Sequence, residues 1–282
     1  MIIAEVKREL IDRFNAAGID SPEADADWLL SSLIKCSRAE LPIYQAQTLS
    51  SQQESLLSAQ VVRRTNREPL QHILGTANFF GHDFLVSPDA LIPRPETEQL
   101  VELACRKSEN FREPIIYDLG TGSGCIAITL AKRLSGATVI ASDVSESALR
   151  LAKRNAARLG VESNVQFRQA DGLALASEEQ VHLFVSNPPY IPTAEIDELQ
   201  PEVREFDPKL ALDGGIDGLV FYREFAALGK ALLFPGGALL AEFGDGQEAG
   251  IDKLFCDAGW PSVDFANDLS GKPRIVIATK RL

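Results

Sequence analysis

The chain has 282 residues, 45% of them hydrophobic, enough for a large buried core and for one large or two modest domains; two are expected. Its 28 Lys and Arg against 40 Asp and Glu leave a formal net charge of −12, which argues against a broad grip on phosphate backbones and for a protein or small-molecule partner. Cys36, Cys105, Cys125 and Cys256 form no C-x-x-C pair, "MIIAEVKREL" carries charges too early for a signal peptide, and no apolar run reaches the roughly 18 to 20 residues of a membrane span, so a soluble, cytoplasmic protein with reduced thiols is expected.

The first stretch of the chain is patterned for helices. Ile3, Val6 and Leu10 share one helical face, as do Ala26, Leu29, Leu30 and Leu33. Ser21 before Pro22 reads as an N-cap with Pro at the first helical position, and Ser51 with Glu54 as a capping box. Residues 1–75 are therefore expected to form a small helical bundle, assigned to substrate recognition, with plain packing mass as the alternative. "NFFGHDFLVS", aromatic and β-prone around Gly81, predicts a hairpin linker over residues 76–95.

A helix is expected from Thr97, and residues 96–282 then alternate strands with amphipathic helices. The strands are "IIYD", "TVIASD", "VQFRQA", "HLFVSN", "ALLAEF", "VDFA" and "RIVIAT". Such alternation predicts an α/β domain with a mostly parallel sheet covered on both faces. His72, His82 and His182 are too scattered for a metal site, and none is expected.

"DLGTGSG" follows the first of these strands and opens a helix. Gly120, Gly122 and Gly124 let the backbone turn tightly and approach a ligand. The G-x-G-x-G spacing is neither the G-x-G-x-x-G of dinucleotide binders nor a P-loop. Asp143, ending the second strand, is placed to accept hydrogen bonds from both hydroxyls of a ribose, and Asp171, ending the third, to accept from an adenine amino group while Gly172 leaves room for the ring. Each acid alone could instead cap a helix start. Three consecutive strands ending in Asp or Gly beside one crevice favour a nucleoside ligand.

The fourth strand ends in "SNPPYI". Pro189 holds Pro188 extended, and neither proline has an N–H, so the loop is a stiff array of acceptors. The Asn187 side-chain oxygen and the Pro188 carbonyl suit the two hydrogens of a planar NH₂ group, against which Tyr190 can lie flat. A conjugated nitrogen is a poor nucleophile because its lone pair is delocalised; holding it in line with an electrophilic carbon lowers the barrier by roughly 7 to 11 kcal/mol in favourable cases. The electrophile that fits an adenosine pocket is the methyl group of S-adenosylmethionine, whose sulfonium favours acceptor-rich, aromatic surroundings.

In the ordered set "FLVSPDALIPRPETE", "DLGTGSGCIAI", "SDVS", "VSNPPYIP", "LQPEVREFDPKLALDGGIDGL" and "GKPRIVIAT", the sequence resembles the release factor glutamine methyltransferases (PrmC, also called HemK) over nearly its whole length. The resemblance implies a seven-stranded, Rossmann-like class I methyltransferase domain behind a helical N-terminal domain, using S-adenosylmethionine and releasing S-adenosylhomocysteine. It implies methylation of the glutamine side-chain nitrogen (N5) in the Gly-Gly-Gln loop of class I peptide chain release factors. The family's cofactor positions fall on Gly120, Thr121, Gly122, Ser123, Gly124, Asp143, Gly172 and Asn187, with Asp171 adjacent and Phe79 as an aromatic near the cofactor. The substrate loop falls on Asn187, Pro188, Pro189 and Tyr190, with Asn187, Pro188 and Tyr190 as catalytic candidates, and "IPRPETE" brings Arg94 and Glu98 close. One departure, Phe80 and His82 where a tyrosine and an aliphatic residue are frequent in relatives, touches only the hairpin.

Three alternatives share parts of this pattern. An adenine-N6 methyltransferase uses a similar loop, but must extract a base and hold a strand with a basic surface that this chain lacks. A ribosomal-protein glutamine methyltransferase would not account for the long "LQPEVREFDPKLALDGGIDGL" match. A dehydrogenase or non-catalytic nucleotide-binding module would explain the glycine loop and Asp143, but not Asn187 to Tyr190.

Overall fold

A computed structural model describes residues 1–172, 180–268 and 271–281. In chain order the elements begin with α1 (Ile3–Ala16), α2 (Pro22–Ile34), α3 (Ser51–Thr65), α4 (Leu70–Leu74), β1 (Thr76–Phe79), β2 (His82–Leu85) and α5 (Thr97–Ser108). The alternating part follows as β3 (Ile115–Leu119), α6 (Cys125–Arg133), β4 (Thr138–Asp143), α7 (Glu146–Leu159), β5 (Val165–Gln169) and β6 (Val181–Ser186). It ends with α8 (Pro201–Arg204), α9 (Val220–Leu232), β7 (Leu233–Glu242), α10 (Glu248–Asp257), β8 (Ser262–Asn267) and β9 (Pro273–Thr279). Among the described residues no helix is long and apolar enough to cross a membrane.

Two units result: Met1–Thr76 with Gln200–Phe206, and Ala77–Leu199 with Asp207–Leu282. In the first, the apolar stripes of α1, α2 and α3 meet in a core of Ile3, Leu10, Phe14, Leu29, Leu30 and Val61. Helix α2 starts at Pro22 with Ser21 ahead of it, although the Ser21 side chain makes no capping bond. The capping box of α3 lies one residue earlier than expected, with Ser50 as the cap and Gln53 as its reciprocal partner, because the Ser50 backbone is the extended one. Arg64 of α3 is buried and bridges Asp25 of α2 at 2.6 Å and Glu202 of α8 at 2.9 Å. Glu202 also takes Arg67 at 2.6 Å. A segment distant in sequence is thereby bound to the helices by charge as well as by chain.

In the second unit seven strands form one sheet in the order β5-β4-β3-β6-β7-β9-β8. Strands β3 to β7 run parallel, and β9 is antiparallel to both its neighbours. The central strands are apolar on both faces because helices cover both sides, as a parallel sheet requires. The hairpin of β1 and β2 turns at Phe80 and Gly81, both with positive φ (53° and 75°), the conformation that matches strand twist in a two-residue turn. Phe79 and Phe84 are fully buried with Leu100 and Ile128, so the segment read as a linker packs into this unit's core. Phe80 N–H donates to the Glu98 carboxylate at 2.7 Å, which accounts for Glu98. His182, read as packing, sits between the rings of Phe111 and Phe234, and its Nδ1 accepts from the Ile115 N–H at 3.0 Å.

Candidate active site

The chain builds the sheet outward from β3 in one direction (β4, β5) and from β6 in the other (β7). The connections from β3 and β6 therefore diverge, opening a crevice at their carboxyl ends, where ligands of open α/β sheets bind. Leu119 and Ser186 are register partners, and Ser186 Oγ donates to the Leu119 carbonyl at 2.9 Å. The glycine loop and Asn187 thus leave the sheet side by side.

The loop is organised from beneath by Asp118. Its carboxylate accepts from Thr121 Oγ1 at 2.6 Å and from the Ala127 N–H at 3.2 Å, tying the strand end to the first turn of α6. Burial pushes this carboxyl up to about 7, against the pull of those hydrogen bonds. Asp143 accepts from Gly122 N–H and Ser145 N–H, both at 2.9 Å. A carboxylate has about four acceptor positions, so lone pairs remain for a ligand's hydroxyls. The glycines divide their work. Gly120, at φ 70°, has nothing within 4 Å of where a Cβ would stand, whereas a Cβ on Gly124 would collide with Ile128 at 2.7 Å and crowd Ala152 at 3.1 Å. Gly124, at φ 83°, is therefore required by backbone conformation and by packing alike, and it does not line the cavity.

Gly120, Thr121, Gly122, Ser123, Asp143, Asp171, Gly172, Asn187, Pro189 and Arg94 all line one cavity. Pro188 is buried, and neither it nor Tyr190 is on the lining. Phe79 is not brought to the cavity; it is held in the hairpin core by an edge contact with Phe84 at 6.0 Å. Arg94 pairs with Asp207 at 2.9 Å. Cys125 is on the wall, but burial pushes its thiol up to about 12, far from a reactive thiolate.

Asn187 has a defined orientation. Its Nδ2 donates to Thr97 Oγ1 at 3.1 Å, and Thr97 Oγ1 donates to Glu242 Oε2 at 2.7 Å. Tyr190 OH reaches Glu242 Oε1 at 3.4 Å, and Tyr222 OH donates to the Glu242 carbonyl. Glu242 and Thr97 are each only 2% exposed. Burial raises the Glu242 carboxyl to about 7, with Thr97 and Arg274 pulling down and Glu96 pushing up. Among the described residues no backbone N–H donates to the Pro188 carbonyl.

Residues 5–75 match the family model of the PrmC N-terminal domain and residues 100–201 that of the methyltransferase small domain. The release factor glutamine methyltransferase of Geobacter sulfurreducens is 41% identical over 92% of this chain and 90% of its own length. That of Koribacter versatilis is 37% identical over 99% of each. The chain belongs to the release factor glutamine methyltransferase family. Among solved structures, the hMettl16 catalytic domain in complex with MAT2A 3'UTR hairpin 6 superposes with a TM-score of 0.57 at 16% identity, over 80% of this chain and 82% of that one, a likeness of fold alone.

A release factor glutamine methyltransferase uses S-adenosylmethionine, and the cavity fits it. Asp89, Asp143 and Asp171 outnumber Arg94, the sole cationic side chain among the described lining residues, a balance suited to a cationic sulfonium nucleoside. Gly120 leaves its side of the wall open, and a Cβ on Gly172 would press into the Glu224 carboxylate at 2.7 Å. Among the described residues no cluster of three or more His, Cys, Asp or Glu is placed to hold a metal.

Sequence reasoning missed the residues that hold the Asn187 loop. Gln247 Nε2 donates to the Tyr190 carbonyl at 2.8 Å, and its Oε1 takes the Gly244 N–H at 2.9 Å. A Cβ on Gly214 would meet Tyr190 Cα at 2.8 Å, and one on Gly218 would strike the Tyr190 carbonyl. The "DGGIDG" run was the available signal for this backbone contact. For Glu242 the signal was a lone acid closing the apolar run "ALLAEF", the same strand-end rule that singled out Asp143.

Proposed function

We propose that this chain methylates the side-chain amide nitrogen (N5) of the glutamine in the Gly-Gly-Gln loop of class I peptide chain release factors. It works in the cytoplasm, without stable nucleic-acid binding, and residues 1–75 take part in recognising the substrate protein. The names of its relatives support the substrate; the net charge of −12 supports the absence of a nucleic-acid grip. The observation that carries the chemistry is Asn187, at the cavity wall beside the glycine loop, with its NH₂ turned inward onto Thr97 and its oxygen left as an acceptor.

When bound, S-adenosylmethionine supplies the methyl group. Gly120, Thr121, Gly122 and Ser123 contour its site, Asp143 takes the ribose hydroxyls, and Asp171 with Gly172 takes the adenine. Asn187 Oδ1 and the Pro188 carbonyl accept the two N–H bonds of the substrate amide, Pro189 stiffens the loop, and Tyr190, which is off the cavity lining, holds the loop through its carbonyl and hydroxyl and brings its ring to the amide plane only once substrate is bound. These contacts fix the nitrogen's position and draw density towards it, the orientation that a delocalised nucleophile lacks in water. The surplus proton leaves the nitrogen after transfer, so no strong base is required.

The test uses labelled cofactor with a purified release factor, its loop Gln→Ala variant and adenine-containing DNA. Label on the first alone is expected, and label on the DNA would overturn the reading. Asn187→Ala is expected to abolish transfer while calorimetry shows cofactor binding largely intact; full turnover by that variant would remove the acceptor role.

A further inference from the structure

An amide side chain has nearly the same shape whichever way round it sits, so packing alone cannot tell the Asn187 oxygen from its nitrogen. The choice decides whether the cavity meets an acceptor or a donor. An acceptor would hold the hydrogens of an incoming NH₂ group; a donor would confront them.

We infer that Glu242, acting through Thr97, is a positioning residue that sets the polarity of the Asn187 amide and so keeps its oxygen towards the substrate nitrogen; this rests on the acceptor role proposed for Asn187.

The chain of contacts has one consistent direction. Ionised, as it is above its raised value of about 7, Glu242 has acceptors only, and it takes Thr97 Oγ1 at 2.7 Å on Oε2 and Tyr190 OH at 3.4 Å on Oε1. Thr97 has a single hydroxyl hydrogen. Once that hydrogen is committed to Glu242, the Thr97 oxygen can only accept, and the group that faces it at 3.1 Å must be the Asn187 NH₂. The Asn187 oxygen is left as the free acceptor of the pair. Turning the amide over would set that oxygen against a Thr97 oxygen with no hydrogen to offer, leaving polar atoms unpaired beside two side chains that are 2% exposed. The supporting geometry is rigid: Thr97 opens α5, Glu242 closes β7, and Tyr222 OH holds the Glu242 backbone carbonyl. Neither Glu242 nor Tyr190 lines the cavity, so Glu242 acts on the substrate only through others.

Glu242→Gln is nearly isosteric but brings an NH₂ group. Donating to Thr97, that group lets Thr97 turn its own hydrogen towards Asn187 and favours the inverted amide. The full chain, assayed with a purified release factor and labelled cofactor at a pH above about 8, where Glu242 is ionised, is expected to lose about a hundredfold in kcat as Glu242→Gln, with cofactor affinity by calorimetry within about threefold of the parent. Thr97→Val, which leaves Glu242 in place and removes the link, is expected to lose a similar factor, and Thr97→Ser to recover most of it. An inactive Asn187→Ala beside a Glu242→Gln enzyme with more than about half the parental kcat would overturn the inference and leave the acceptor role standing. An active Asn187→Ala would remove both claims.

Discussion

Within five residues two glycines of the loop share a positive φ but differ in what surrounds them. At Gly120 the positive φ demands it and the space beside it is open, whereas at Gly124 a positive φ is joined by close packing, and a methyl group would overlap Ile128 of α6 and crowd Ala152 of α7. Asp143 shows a similar double use, since its carboxylate ties down Gly122 and Ser145 before any ligand arrives. Asp143→Ala therefore loses a charged acceptor for the ribose and also loosens the loop. Cofactor affinity is expected to fall by about tenfold to a hundredfold, since hydrogen bonds to charged groups contribute about 1.5 to 3 kcal/mol. Calorimetry that returned the parental affinity would show the ribose assignment to be mistaken.

The Asn187 loop is stiff for reasons that lie outside it. Prolines restrict two of its residues, but the segment after it supplies the rest. Ile191 N–H donates to the Leu212 carbonyl at 3.0 Å, Gly214 N–H donates back to Ile191 at 2.8 Å, and Gln247 fastens Tyr190. In the first unit α8, only four residues long, has no buried residue of its own, so its place depends on Glu202 and the two arginines it meets. Burial pushes the Glu202 carboxyl up, but hydrogen bonds from Arg67 and Arg64 outweigh it and leave the carboxyl below its ordinary range. Glu202→Gln leaves Arg64 with half its compensation in a buried place. It is expected to cost this unit about 3 kcal/mol, the scale for breaking a buried ion pair from one side. Chemical denaturation of the full chain checks this, and a loss under about 0.5 kcal/mol would mean that the pair is surface-like.

Taken over the molecule, two buried carboxyls oppose the usual pH trend. Asp118 and Glu242 are both raised to about 7, chiefly by burial. A carboxyl whose folded value lies above its unfolded one stabilises fully below the unfolded value, and that contribution is lost as pH rises through the folded value. These two groups therefore withdraw stability between about pH 4 and about pH 7. Asp118→Asn keeps an acceptor for Thr121 and Ala127 but cannot ionise. Its melting temperature relative to the parent is expected to climb as pH goes from about 5 to about 7.5, and a constant difference would mean that Asp118 does not titrate in that window.

How far such features could be read in advance follows from the range of the forces involved. Strand and helix alternation, the sharp turn at "DLGTGSG" and the stiffness of "NPPY" are set by neighbouring residues, so the α/β architecture and the crevice with Gly120, Asp143 and Asn187 were legible in the chain alone. The link from Thr97 to Glu242 joins residues 145 apart, and that from Tyr190 to Gln247 joins residues 57 apart. No local pattern encodes those distances. They exist because the sheet places β6 beside β7 and α5 against both, and because a buried polar group must find its partner wherever the fold has put one. Tertiary structure likewise moved Phe79 into a core and made Gly124 a contact between helices. Which way the Asn187 amide faces is decided by a carboxylate on another strand.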